Sequence, residues 1–185
     1  MEKRFTRDRE QKIQSIYEAF QELVNKAGYD SLTTRKVAKK AKISVGTVYN
    51  YFPEGKTSIA SGLYEKNLLE TIDIKNFIGY TREGLRDQIT RHLRLHIEDL
   101  ELYRAFDLAI YTNKDLFDGI KKKRDELLME QLGGKTQRLD QILLVYTTVD
   151  SIIHKHLFVE PLFVSEDDLI DYLVLIAESS IGFTP

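Results

Sequence analysis

Nearly every long segment of the chain places its apolar residues at three- and four-residue steps, and none sustains the strict alternation of a half-buried strand. Ile13, Ile16, Phe20, Leu23 and Ala27 mark one face of a first helix over about Thr6 to Lys26. Gly28, which tolerates positive φ, stops it. Thr33 and Ser44 are suited to cap two short helices on either side of "KIS", with Val37, Ala38 and Ala41 on the inner side of the first. A fourth helix is expected from about Lys56 to Asn76, after Pro53 and Gly55. Further helices follow over about Thr81 to Glu98, Leu100 to Tyr111, Asp115 to Leu132, Gln137 to Phe158 and Glu166 to Ile181. Pro161 breaks the last pair apart. The expected fold class is all-α.

The formal net charge of −2 conceals a division. Met1 to Lys56 holds 12 Lys+Arg against 7 Asp+Glu, and Thr57 to Pro185 holds 15 against 22. A basic head of about +5 on a body of about −7 points to two modules with different partners, the head matched to a polyanion. The chain has no Cys and so no disulfide or thiolate metal site. With no apolar run of about 18 residues and no apolar core near the N-terminus, neither a membrane partner nor a secretory signal is expected. The expected location is cytoplasmic.

Gly55-Lys56-Thr57, and again Gly133 to Thr136, carry the ending of a phosphate-cradling loop. Such a loop needs a glycine five residues earlier so that successive N–H groups wrap the anion. Asn50 and Met129 stand there instead, and no strand precedes either segment. Gly133-Gly134 reads better as a turn between helices. The segment Thr33 to Phe52 reads as a helix-turn-helix, in which the second short helix enters the major groove while the first crosses the backbone. Leu32, Val37, Ala38, Ile43 and Val48 would face inward against Ile16 and Phe20. Ser44, Gly46, Thr47, Tyr49 and Asn50 would remain outward.

The run "NKAGYDSLTTRKVAKKAKISVGTVYNYFPEGKTSI" strongly resembles the DNA-binding region of tetracycline-repressor-type (TetR family) transcription regulators, over about Ile13 to Leu69. The matching pieces are Gly28-Tyr29, Thr33-Thr34, Val37-Ala38, Ile43 to Thr47 and Tyr49 to Phe52. The resemblance implies an N-terminal three-helix head, residues 1–55, for DNA binding. It also implies a C-terminal helical bundle, residues 56–185, that binds ligand and dimerises. Thr34 and Tyr49 would then meet phosphates, helped by Ser44 and Tyr51. Gly46 would allow close approach, and Arg35, Val45, Thr47 and Asn50 are candidates for base edges. Tyr49 and Tyr51 also have a packing role open to them. Pro53-Glu54-Gly55 is one residue longer than the family spacing before Lys56, the remaining phosphate candidate.

The resemblance further implies a homodimer on a palindromic operator, with Leu144, Ile152, Leu173 and Ile176 of the last two helices as expected contacts. A small, largely apolar effector is expected in the body, and its binding would release the repressor. Tyr103, Phe106, Tyr111, Phe117 and Tyr146 are candidate linings, although aromatic residues at helical spacing equally form ordinary core. His92 and His96, at i and i+4, share one helical face that can line a ligand pocket or grip a metal. His154 and His156 cannot share a face with each other, and no Cys or evident carboxylate set completes a metal site. The expectation is therefore no metal, with a metal-responsive regulator of the same fold as the alternative. No nucleophile–base pair stands out, so no catalytic residue, cofactor or enzymatic activity is expected; a helical-bundle enzyme is the remote alternative.

Overall fold

The computed structural model describes the backbone of residues 2–71, 81–131 and 139–181, and the side chains of 7–68, 81–115, 118–130 and 140–180. Nine helices and no strand occur among the described residues. They are α1 (Glu2–Ala27), α2 (Thr34–Lys40), α3 (Val45–Tyr51), α4 (Lys56–Thr71), α5 (Arg82–Glu98), α6 (Leu100–Thr112), α7 (Lys114–Gln131), α8 (Leu139–Phe158) and α9 (Glu166–Ile181). The all-α expectation holds. The expected end of the fourth helix at Asn76, and the turn at Gly133-Gly134, lie outside the described residues. None of the described helices is long and apolar enough to cross a membrane.

The chain forms two compact units, Met1–Glu70 with Asp99–Lys122, and Thr71–Glu98 with Lys123–Pro185. In the first unit, the apolar face of α1 supplies Ile16, Ala19, Phe20 and Val24 to one core. Leu32, Val37, Ala38 and Val48 of the helix-turn-helix close over it, with Ile43 at its margin. Ile59, Ala60 and Leu63 of α4 and Leu102, Ala105, Phe106 and Ala109 of α6 complete it. Asp99 ties the start of α6 to α1, accepting from Gln21 at 3.1 Å and Asn25 at 2.8 Å.

Gly28 ends α1 with φ +73°, a left-handed conformation that glycine adopts without a Cβ penalty. The turn between α2 and α3 is closed by Lys42 N–H to the Lys39 carbonyl (3.3 Å) and Ile43 N–H to the Ala38 carbonyl (3.0 Å). This paired arrangement satisfies the last carbonyls of α2 and needs a left-handed residue, here Lys42 at φ 57°.

The second unit packs α5, α8 and α9 around Leu85, Ile89, Leu93, Val145, Val149, Ile153, Leu169 and Leu173. Arg82 pairs with Glu178 at 2.7 Å, and Arg86 with Asp167 at 3.0 Å and with Asp171, along the α5–α9 seam. Leu173 is fully buried in this intrachain core, and Ile152 and Ile176 are half-buried. Of the four residues expected at a subunit contact, Leu144 alone is widely exposed, at 62%. Tyr172 and Leu175 on α9 are exposed as well.

Candidate nucleic-acid interface and a histidine cluster

Both short helices of the head begin with a hydroxyl cap. Thr33 Oγ1 accepts from Lys36 N–H at 3.3 Å, and Ser44 Oγ accepts from Thr47 N–H at 3.0 Å. Capping matters here because a seven-residue helix cannot sustain itself by propagation. Val48 is the anchor of α3, fully buried. With Val48 inward, Gly46, Tyr49 and Asn50 are exposed, as are Ser44 before the helix and Arg35 on α2. Val45, Thr47 and Tyr51 are half-buried, and Val45 and Tyr51 pack against the head core. Tyr51 therefore has a packing role, while Tyr49 is 47% exposed.

Gly46 carries no internal constraint. A Cβ built there meets only Ser44 Oγ, at 3.8 Å, an ordinary contact. Gly55 is the opposite case: its φ is +63°, and an added Cβ would run into Thr34 Oγ1 and come within 3.3 Å of the Tyr49 ring. The bare backbone at Gly55 thus brings Thr34 and Tyr49, the two principal phosphate candidates, to one spot. The Pro53-Glu54-Gly55 extension is held by Gly55 N–H to the Phe52 carbonyl at 2.9 Å. Glu54 N–H donates to Ser58 Oγ at 3.0 Å. Lys56 Nζ donates to the Tyr29 carbonyl at 3.0 Å and sits 4.2 Å above the Tyr29 ring centroid. Its ammonium is thereby positioned by the start of the α1–α2 connection.

The residues expected to line an effector site divide between the units. In the first, Tyr103 packs edge-on to Phe106 at 5.6 Å, Phe106 is fully buried core, and Tyr111 is 84% exposed. The side chain of Phe117 lies outside the described residues. In the second unit His92, His96 and Tyr146 come together, the Tyr146 ring 5.7 Å from that of His92.

Two residues that single-helix reasoning missed join the histidines. Asp150 Oδ1 lies 3.0 Å from His92 Nε2, 3.7 Å from His96 Nε2 and 3.6 Å from His154 Nε2. His96 Nε2 and His154 Nε2 are 2.8 Å apart. The sequence signal was a second i, i+4 pair, Asp150 and His154 on α8, facing His92 and His96 on α5. The fourth histidine is elsewhere: His156 Nδ1 accepts from Leu162 N–H at 2.9 Å.

His96 is 1% exposed, and its Nδ1 lies 2.8 Å from the His92 carbonyl. A carbonyl can only accept, so Nδ1 holds the proton and Nε2 presents a lone pair to the cluster. Burial, reinforced by neighbouring His92, pushes the His96 pKa down to about 3, so the ring is neutral. Burial alone would raise Asp150, but the His92 hydrogen bond and the surrounding imidazoles outweigh it and hold the carboxyl below its ordinary value.

Residues 16–61, which span the end of α1, the helix-turn-helix and the start of α4, match the family model for bacterial regulatory proteins of the tetR family. The chain is 29% identical over 134 residues to the HTH-type transcriptional repressor KstR of Rhodococcus jostii (strain RHA1), covering 69% of this chain and 62% of that one. It is 32% identical over 83 residues to the HTH-type transcriptional regulator YuxN of Bacillus subtilis (strain 168), covering 43% and 28%. It thus spans less than two thirds of the length of either relative. Among solved structures, a TetR transcriptional regulator from Rhodococcus sp. RHA1 superposes with a TM-score of 0.73 at 16% identity, over 96% of this chain and 100% of that one. A TetR-family regulator from Streptomyces coelicolor gives 0.65 at 21% identity, over 92% and 98%. The matched segment coincides with the capped helix-turn-helix, and the fold along nearly the whole chain is that of solved TetR-family regulators, so the family model, the KstR relative and the fold together support a TetR-type regulator.

Proposed function

We propose that the protein is a DNA-binding transcriptional repressor. Residues 1–55 read a palindromic operator in this reading, and residues 56–185 bind an effector and dimerise. The observation that carries the proposal is Gly46: a glycine on the exposed edge of a short, hydroxyl-capped helix, where nothing inside the protein requires one. Helical glycine is destabilising, so its presence is accounted for by an external surface that must come close. Around it, Thr34, Ser44, Tyr49 and Lys56 supply phosphate contacts, while Arg35, Val45, Thr47 and Asn50 address base edges. Repression is favoured by the likeness to a named repressor.

A palindrome demands two recognition helices about 34–36 Å apart, hence a second copy of the chain. The exposed Leu144 of α8 and Tyr172 and Leu175 of α9 support a four-helix contact between copies. A small apolar effector acts by its different affinity for the DNA-competent and released states. The protein works in the cytoplasm in this reading.

The test is a mobility shift with the purified chain and duplex fragments from upstream of its own gene. Binding should weaken steeply between 50 and 200 mM salt, as counterion release requires, and Gly46→Glu should abolish it. If the wild-type chain ignores every fragment at low ionic strength, or Gly46→Glu binds as tightly as wild type, this surface does not read DNA.

A further inference from the structure

We propose that His92, His96 and Asp150, with His154 completing the set, form a binding site for one divalent transition-metal ion of the zinc class, held between α5 and α8. The site does not rest on the DNA-binding reading, since every ligand comes from the second compact unit.

The ligand atoms of His92, His96 and Asp150 all lie within 4.8 Å of one another. A tetrahedral zinc ion, with bonds of about 2.0–2.1 Å, sets neighbouring ligand atoms about 3.3 Å apart. The four short separations, 2.8 and 3.0 Å on one side of that value and 3.6 and 3.7 Å on the other, bracket it. Each i, i+4 pair puts its two side chains on one face of its helix, and the two faces oppose each other. A four-ligand set of three imidazole nitrogens and one carboxylate oxygen suits zinc, nickel, cobalt or iron, and is wrong for calcium and magnesium, which take oxygen.

The surroundings of His96 strengthen the assignment. Metal-ligating histidines commonly donate their second ring N–H to a carbonyl or carboxylate, which fixes the tautomer and aims the other nitrogen at the ion. His96 makes this bond, Nδ1–H to the His92 carbonyl, while its side chain is almost wholly buried. Without a metal the cluster is a hydrogen-bonded knot. The His96 lone pair accepts from His154 Nε2–H, and His92 Nε2–H donates to Asp150. Metal binding requires His154 and His92 to move those protons to Nδ1, with no change in their charge, and the ion takes the place of the shared protons. His92, Asp150 and His154 side chains keep 20%, 25% and 15% of their surface, which leaves the ion a way in.

The test uses the full chain, freed of metal by chelator, with no DNA present. Zinc titrated by calorimetry should bind one equivalent, magnesium and calcium none, and cobalt should develop the intense visible bands of four-coordination. Asp150→Asn keeps the side-chain shape and should weaken zinc binding by about 100-fold; His154→Gln should weaken it by at least about tenfold. His156→Gln, outside the cluster, should leave it unchanged. Zinc should raise the unfolding temperature of the wild type and not of Asp150→Asn, while circular dichroism of both metal-free proteins reports that they are folded. Absence of stoichiometric zinc binding by the wild type, or wild-type affinity in Asp150→Asn, overturns the site. Wild-type affinity in His154→Gln removes the fourth ligand and with it the tetrahedral assignment.

Discussion

Replacing Gly46 with alanine should move stability and DNA affinity in opposite directions. The added methyl meets only Ser44 Oγ, at 3.8 Å, so it introduces no clash within the chain. Gly46 is the second residue of α3 and does not have the positive φ of Gly28 or Gly55. Alanine therefore gains the helical preference that glycine lacks, roughly 0.5–1 kcal/mol, with the lower half expected this close to the cap. For a chain of this size that corresponds to a rise of about 1–4 °C in unfolding temperature. If α3 enters the groove as proposed, the same methyl holds it away from the bases. Loss of fit comparable to one mismatched base pair, about 1–3 kcal/mol, weakens binding about 5- to 150-fold. Urea titration gives the first quantity and fluorescence anisotropy with an operator duplex the second. A Gly46→Ala protein that binds DNA like wild type refutes close approach at this position. One that is less stable refutes the claim that the fold has room for it.

Gly55→Ala should destabilise by about 2–4 kcal/mol, combining a left-handed backbone with a methyl driven into Thr34 Oγ1. Denaturant unfolding measures it, and a change below about 0.5 kcal/mol contradicts the packing described. The Tyr17 hydroxyl is pushed up to about 12, mainly by burial, with Glu65 adding to it. Below pH 10 its proton is bound in both folded and unfolded chains. Between pH 10 and 12 the unfolded chain loses it first, so stability falls by up to roughly 2–3 kcal/mol as pH rises. Tyr17→Phe should flatten that fall; an unchanged slope assigns the alkaline loss to other groups. Charging the exposed apolar positions of the last two helices, in Leu144→Glu with Leu175→Glu, should give a monomer by sedimentation with helical content intact. Persistence of a dimer places the subunit contact elsewhere.

The helices were legible because each carries its own record of one apolar face. Ile16 and Phe20 on α1, Val37 and Ala38 on α2, and Val48 on α3 are buried as their spacing required. Caps were legible for the same local reason: Thr33 and Ser44 accept from N–H groups three residues ahead, a contact that depends on no distant segment. Periodicity does not say what an apolar face packs against, which is why Leu173 read as an intersubunit contact and proved to be intrachain core. Phe106 carries the same ambiguity: expected along an effector site, it is buried in the core of the first unit.

By itself, then, the sequence determined the helical class, the capped helix-turn-helix and the polar, slender edge of α3, because all three follow from hydrogen bonds and side-chain spacing within a few residues. Tertiary structure alone decided that Thr34 and Tyr49 converge over Gly55, and that Asp150 and His154 of α8 meet His92 and His96 of α5. Those meetings join residues from 15 to 62 positions apart, where the packing of helix against helix fixes position and no local rule reaches.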